Sequence, residues 1–266
     1  MRDTDGEPQL GTIWKKTERQ TMKPAMRFIP ILICASFLPI GCATKPSPVP
    51  APAPATTSSQ AIKKQQFFAR LRPIVLAENA RISKDRQRVL RLHRHKAWLA
   101  GADKRWLMEL ATRYRMPAFD VRKETDWQTL LRRVDEIPVE LVLAQAANES
   151  AWGTSRFARL GNNYFGQWCY RKGCGMVPKH RAPGATHEVA RFDSVEASVA
   201  SYMHNLNTLG AYRALRRLRA QARARGQRPQ AEQLAEGLVH YSARGKAYVR
   251  TLQAMIRQNR RLMHDS

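Results

Sequence analysis

The residues best equipped for chemistry lie between positions 138 and 168. After Pro138, the side chains Val139, Val142, Leu143, Ala146 and Ala147 recur at i, i+3, i+4, i+7 and i+8, the pattern of a helix that turns one stripe inward. Proline is well tolerated at the start of such a helix, which should end near Ser150, before Gly153. At about 100° per residue, Glu149 falls roughly 90° from the centre of the stripe, on the border between core and surface. Glu140 lies at a similar angle on the other side, so geometry alone does not choose between them. Their neighbours do. Glu149 is followed by Trp152, Phe157 and the loop Tyr164-Phe165-Gly166-Gln167-Trp168, which is preceded by Gly161-Asn162-Asn163. A carboxyl among aromatic rings loses hydration, and its pKa rises toward the range of a general acid. Flat rings with amide side chains between them also suit a pyranose and its hydroxyl and acetamido groups. The same residues read equally as an aromatic core cluster beside a solvated glutamate.

The elements that must hold this segment are mostly helical. From Ala61 to about Trp98 apolar residues keep helical spacing (Phe67, Leu71; Ile74, Ala77; Leu90, Leu92) with Pro73 between them, which predicts two amphipathic helices. Further helices are expected over Arg105–Tyr114 and Trp127–Val134, and another over Val195–Leu209 after Asp193-Ser194, where Glu196 suits a helix start without any catalytic duty. Thr186 to Phe192 alternates as a strand does. Arg213, Arg216, Arg217, Arg219, Arg223 and Arg225 make a dense basic helix, ordinarily a solvated face. The expected units are a leader over 1–42, a tether over 43–60, a helical region over 61–135 and a catalytic domain over 136–266.

The leader and the charge bear on compartment. Lys23 and Arg27 precede an apolar run from Phe28 to Ile40 and then Gly41-Cys42-Ala43, the layout of an export signal, too short and too rich in proline for a retained span. Gly41-Cys42 also resembles the end of a bacterial lipoprotein signal, with Cys42 as the lipidated residue, although Pro39 stands where that signal usually has leucine. The polar residues before Met22 make Met22 or Met26 the better start. The Pro/Ala/Ser-rich stretch that follows is a semi-rigid tether. These features predict a periplasmic protein of the cell envelope, held at the membrane as a lipoprotein. The 266 residues carry Lys+Arg 46 against Asp+Glu 21, a net charge of +25. Such a balance asks for an anionic partner. Export disfavours nucleic acid, so peptidoglycan strands are expected, with an anionic membrane surface as a second contact. At 43% hydrophobic the chain has enough apolar material for a core, which excludes wholesale disorder and a disulfide-stapled miniprotein. Cys169 and Cys174, close together in an oxidising compartment, should form a disulfide, and their spacing is a weak zinc signal.

The run Ala144-Gln145-Ala146-Ala147-Asn148-Glu149-Ser150-Ala151-Trp152-Gly153-Thr154-Ser155, followed by Gly161-Asn162-Asn163-Tyr164-Phe165-Gly166, resembles the signature of the β-N-acetylglucosaminidases of glycoside hydrolase family 73. Cys169, Cys174 and Val177-Pro178 are similar to its Bax-type branch, and Phe192-Asp193-Ser194, Tyr202, Tyr241 and Tyr248 follow in order. The likeness covers roughly residues 60–260. It implies a mainly α, lysozyme-like domain with a small β-hairpin lobe lining a substrate groove. It also implies hydrolysis of the β-1,4 bond after N-acetylglucosamine in peptidoglycan, with no metal or organic cofactor. Glu149 matches the family's catalytic acid. Glu188 stands where the family places a second carboxylate on the lobe, with Asp193 and Glu196 as rivals. Trp152, Asn163, Phe165, Trp168, Tyr202 and Tyr241 match groove positions, with Tyr248 as the rival of Tyr241. Two other functions remain open: a lytic transglycosylase, which would leave a 1,6-anhydro product, and a non-catalytic wall-binding lipoprotein.

Overall fold

The computed structural model describes residues 55–179, 181 and 184–264. The expected export leader over 1–42, Cys42 with its lipidation, and residues 43–54 of the tether lie outside the described residues. Among the described residues nine α-helices and three short strands run in the order α1 (Ala55–Arg94), α2 (Gly101–Arg113), α3 (Glu124–Arg133), α4 (Val139–Ser150), α5 (Arg156–Gly161), β1 (Trp168–Cys169), β2 (Gly175–Met176), β3 (Glu188–Ala190), α6 (Val195–Thr208), α7 (Arg213–Ala224), α8 (Ala231–Ala235) and α9 (Lys246–His264). The protein is mainly α with a small β lobe. No helix among the described residues is long and apolar enough to cross a membrane.

The helix α4 sits at the centre, against α1, α8 and α9. A single inward stripe was expected, yet Leu141, Ala144 and Gln145 are buried along with Val142, Leu143, Ala146 and Ala147. A helix buried on most of its circumference belongs to the middle of a core. Position is fixed at its start by Asn79 of α1, whose amide donates to Ile137 O at 2.7 Å and accepts from Ile137 N at 3.0 Å. That two-point clamp is buried and leads directly into Pro138, which caps α4.

Two expectations are corrected here. The expected pair of helices is one: α1 runs unbroken through Pro73 to Arg94, beginning at Ala55 inside the expected tether, and a short 3₁₀ turn, Lys96–Trp98, follows it. An interior proline costs about 3 kcal/mol. Burying Phe68, Leu71, Val75, Ile82 and Val89, all on one face and at most 1% exposed, returns about 1.5–3 kcal/mol each and outweighs it. The helical region over 61–135 packs on the rest and shares its core, since side chains of α1 to α3 and of α4 to α9 belong to one hydrophobic cluster. The basic helix α7, in turn, is not simply a solvated face. Arg216 and Arg219 are buried on it. Arg219 donates to Arg132 O, Asp135 O and Glu136 O, closing off carbonyls at the end of α3, while Arg223 grips the Asp135 carboxylate.

The expected small β lobe is present and three-stranded, in the order β1-β3-β2 and antiparallel throughout. The central strand β3 pairs Val189 with both Trp168 and Met176. Gly175 is required at this crossing: a Cβ there would lie 2.0 Å from Val189 O. Cys169 and Cys174, in the flanking strand β1 and the turn before β2, are joined by a disulfide with Cα atoms 6.2 Å apart. Ser194 caps α6 by accepting from Ala197 N at 3.1 Å, so Asp193-Ser194 does start a helix.

Candidate active site

Glu149 lies in the last turn of α4 and is half-buried. The helix stops immediately after it, because Ala151 and Trp152 both adopt left-handed backbone (φ 50° and 58°) ahead of Gly153 at φ 78°. Ser150 fastens the turn by accepting from Gly153 N at 2.7 Å and donating to Ala146 O at 2.6 Å. Burial pushes the Glu149 carboxyl above its ordinary range, against the opposing hydrogen bonds from Asn148 and Tyr248 and the charge of Arg244. Its place at a helix C-terminus, the negative end of the helix dipole, also disfavours the anion.

The hydrogen bonds around Glu149 have a direction. Tyr202 donates to Gln145 Oε1, Gln145 Nε2 donates to Tyr248 OH at 3.0 Å, and Tyr248 OH donates to Glu149 Oε1 at 2.9 Å. Asn148 Nδ2 donates to the same Oε1 at 3.0 Å. With both donors on Oε1, an acidic proton on Glu149 belongs on Oε2. The tyrosines remain protonated donors, since burial raises the pKa of Tyr202, Tyr241 and Tyr248 well above the phenolic value. Gln145 was not singled out as a site residue. The signal that marks it is its spacing: a polar side chain four residues before Glu149, so on the same helix face, within an otherwise apolar stretch.

The tyrosines that interact electrostatically with Glu149, namely Tyr202, Tyr212, Tyr241 and Tyr248, come from distant elements, while Phe165 belongs to the loop that follows it. Tyr241 stacks on Tyr248 with ring centres 5.3 Å apart, and Phe165 stacks on Tyr202 at 3.9 Å. Tyr241 OH donates to Phe165 O at 2.9 Å, so of the two rival tyrosines it is Tyr248 that bonds Glu149. Trp152 instead faces α1, with its indole edge-on to Phe67 and Phe68 and the Lys64 ammonium 5.1 Å from its ring centre.

Several expected substrate contacts prove to be packing residues. Asn163 is 1% exposed and spends its whole amide on the loop, donating to Gln167 O and Ala190 O and accepting from Phe165 N and Gln167 N. It has no surface left for a sugar. Phe165 and Tyr202 are buried at 2%, and Tyr241 at 6%, so they back the site and do not line it. Trp168 is partly exposed on β1, stacked on His187 at 4.1 Å, and it remains available as a platform.

Glu188 is 6% exposed on the central strand. Its two oxygens accept from Gly173 N at 3.0 Å and Gly175 N at 2.8 Å, and these amides hold the carboxyl below its usual range. It clasps the disulfide loop, and among the described residues no hydrogen bond joins it to Glu149. Of its rivals, Glu196 sits at the start of α6, bonded to Ser194, and Asp193 lies in the turn before it. Glu140 pairs with His264 at 3.1 Å. Cys169, Cys174 and Glu188 bring ligand atoms within 4.8 Å of one another, but both sulfurs are committed to the disulfide and the carboxylate to amides, so this donor set does not fit a metal.

Comparison with known proteins adds three findings. Residues 124–261 match the family model described as mannosyl-glycoprotein endo-β-N-acetylglucosaminidase. Over 201 residues the chain is 36% identical to Protein bax of Escherichia coli (strain K12), covering 76% of this chain and 71% of that one. No solved structure matches.

Proposed function

Because the chain belongs to the mannosyl-glycoprotein endo-β-N-acetylglucosaminidase family, we propose that it hydrolyses the β-1,4 bond after N-acetylglucosamine in peptidoglycan, with Glu149 as the general acid. The observation that carries this reading is the hydrogen-bond set on Glu149: two donors on Oε1, a carboxyl raised by burial, and the proton therefore on Oε2. A carboxyl in that state protonates the leaving glycosidic oxygen as the bond breaks and the sugar ring gains oxocarbenium character. Tyr248 and Asn148 then hold the anion that remains, since both already donate to it.

The second group needed at the sugar carbon is the substrate's own acetamido oxygen, which closes on the carbon from the opposite face and is later displaced by water. Glu188 is spared this role because both of its oxygens are occupied in the loop. This route retains the anomeric configuration. Two displacements at one carbon restore the starting face. The broader partner reading, a glycan strand met by a basic protein, agrees with the net charge of +25.

Export to the envelope and anchoring through a lipid on Cys42 belong to the same proposal and rest on residues 22–43 alone. Fractionation of cells producing the chain and its Cys42→Ser variant tests them: the variant should leave the membrane fraction.

The central experiment is mass spectrometry of purified peptidoglycan digested with the protein and with its Glu149→Gln variant. Fragments with reducing-end N-acetylglucosamine, absent with the variant, are the expected result. Fragments ending in 1,6-anhydro-N-acetylmuramic acid would replace the hydrolase with a lytic transglycosylase. No fragments from either protein, with retention on the polymer, would leave a wall-binding module.

A further inference from the structure

Five arginines of this protein line one cleft that the glycosidase reading does not use. The C-terminal part of α3 and one side of α7 enclose a cleft of about 550 Å³, lined by Arg132, Arg133, Arg213, Arg216 and Arg217. No carboxylate is among its lining residues. Asp135, the buried acid that follows α3, is already engaged by Arg86, Arg219 and Arg223 at 3.6, 3.3 and 2.6 Å.

The five guanidinium groups fall into two sets. Arg216 Nη1 donates to Leu206 O and Leu209 O at 2.9 and 2.8 Å, and Arg133 Nη1 donates to Tyr114 O and Arg115 O at 2.6 and 2.9 Å. Those carbonyls fix the two side chains in place while cancelling none of their charge. Arg132, Arg213 and Arg217 are exposed, and their guanidinium groups make no hydrogen bond or ion pair among the described residues. The crowding has a cost. Burial, then Arg133, Arg219 and Arg213, lower Arg216 to about 10, and burial with Arg115 and Arg213 lowers Arg133 as well. Both remain cations at neutral pH, so the folded protein carries repulsion that a bound anion would relieve.

The arrangement also selects the anion. A carboxylate is planar, has two oxygens and is satisfied by one guanidinium fork. Several forks lining one cleft from two helices call for an oxyanion with acceptors in three dimensions and more than one negative charge. We propose that the cleft between α3 and α7 is a binding site for a phosphate group, with Arg133 and Arg216 as fixed donors and Arg132, Arg213 and Arg217 closing over it. Free phosphate and the headgroup of a phospholipid share this chemistry.

The test uses the full chain. Thermal unfolding is followed against inorganic phosphate at constant ionic strength, with chloride as the balancing anion. A saturable rise in Tm of a few degrees is expected, absent in the Arg213→Gln/Arg217→Gln double variant, whose two positions are exposed and unpartnered and so should leave folding intact. No rise beyond that in chloride, or an equal rise in the double variant, overturns the site. Flotation with phosphatidylglycerol and phosphatidylcholine vesicles then identifies the source. Binding to the anionic vesicles that phosphate competes away and the double variant loses assigns the site to a lipid headgroup. A phosphate response without variant-dependent vesicle binding assigns it to free phosphate.

Discussion

Tyr248 of α9 donates its phenolic hydrogen to Glu149 Oε1 of α4 across 2.9 Å, joining two residues 99 positions apart in the chain. This bond favours the glutamate anion and so opposes the effect of burial. Removing it in Tyr248→Phe should raise the Glu149 pKa further. In the proposed mechanism activity depends on the protonated acid and falls as pH rises through that pKa, so the alkaline limb of the pH–rate profile should move up in the variant. A loss in kcat of roughly ten- to a hundredfold should accompany it, as the acid loses its orientation. An alkaline limb that stays in place would show that Tyr248 does not act on the proton of Glu149.

Glu149 should also weaken the fold at neutral pH. Its folded-state pKa is raised, so the stability it contributes is present below the ordinary carboxyl range and is lost as pH rises through the raised value. Glu149→Gln keeps an oxygen for Tyr248 and Asn148 without the desolvated charge. The variant should therefore resist urea better than the native chain above neutrality, and the advantage should close as pH falls below about 4. An advantage that persists unchanged in acid would contradict the burial argument.

Glu188→Gln separates a structural carboxylate from a chemical one. The amide offers one oxygen where Gly173 N and Gly175 N need two acceptors. Limited proteolysis between 169 and 188 should accelerate, and KM should rise, with kcat kept within about tenfold. A carboxylate acting in the chemical step would instead lose roughly 10²- to 10⁴-fold in kcat. Proton NMR of the first product supplies an independent check, because participation by the acetamido group delivers the β-anomer before mutarotation.

Asp135→Asn should be among the most damaging single changes. The Asp135 carboxylate is 3% exposed and faces Arg86, Arg219 and Arg223. Neutralising it leaves three guanidinium groups confronting one another where α1, α3 and α7 meet, at a cost of about 3–5 kcal/mol. Equilibrium denaturation measures this directly. A loss below about 1 kcal/mol would mean that the backbone carbonyls around Arg219 already suffice.

What could be read from the sequence was local. The helix after Pro138, the half-buried position of Glu149 and the Ser194 cap of α6 each follow from spacing within a dozen residues. Pairings between elements were out of reach. The resemblance offered Tyr241 and Tyr248 for one position, and nothing in the sequence says that it is Tyr248 that meets Glu149. Asn163 and Glu188 mislead for a related reason: a polar side chain in a loop looks available until the backbone donors and acceptors it satisfies are known. Arginines on α7 have the same ambiguity, since a long side chain reads alike whether it reaches water or the carbonyls of another helix. For Pro73, local propensity was overruled by the apolar face on which it rides.

The turn after Glu149 has an implication for how this protein can adapt. Ala151 and Trp152 both hold left-handed backbone without being glycine, a conformation that costs of the order of 1–3 kcal/mol at each position. Trp152 is kept there by Phe67 and Phe68. Glycine at 151 would release that strain and make the chain hardier to heat, and it would also give slack to the last turn of α4. Lineages moving to hotter surroundings thus find an easy gain in robustness beside the carboxyl that the proposed reaction needs held in place, and Ala151 marks where the two demands oppose each other.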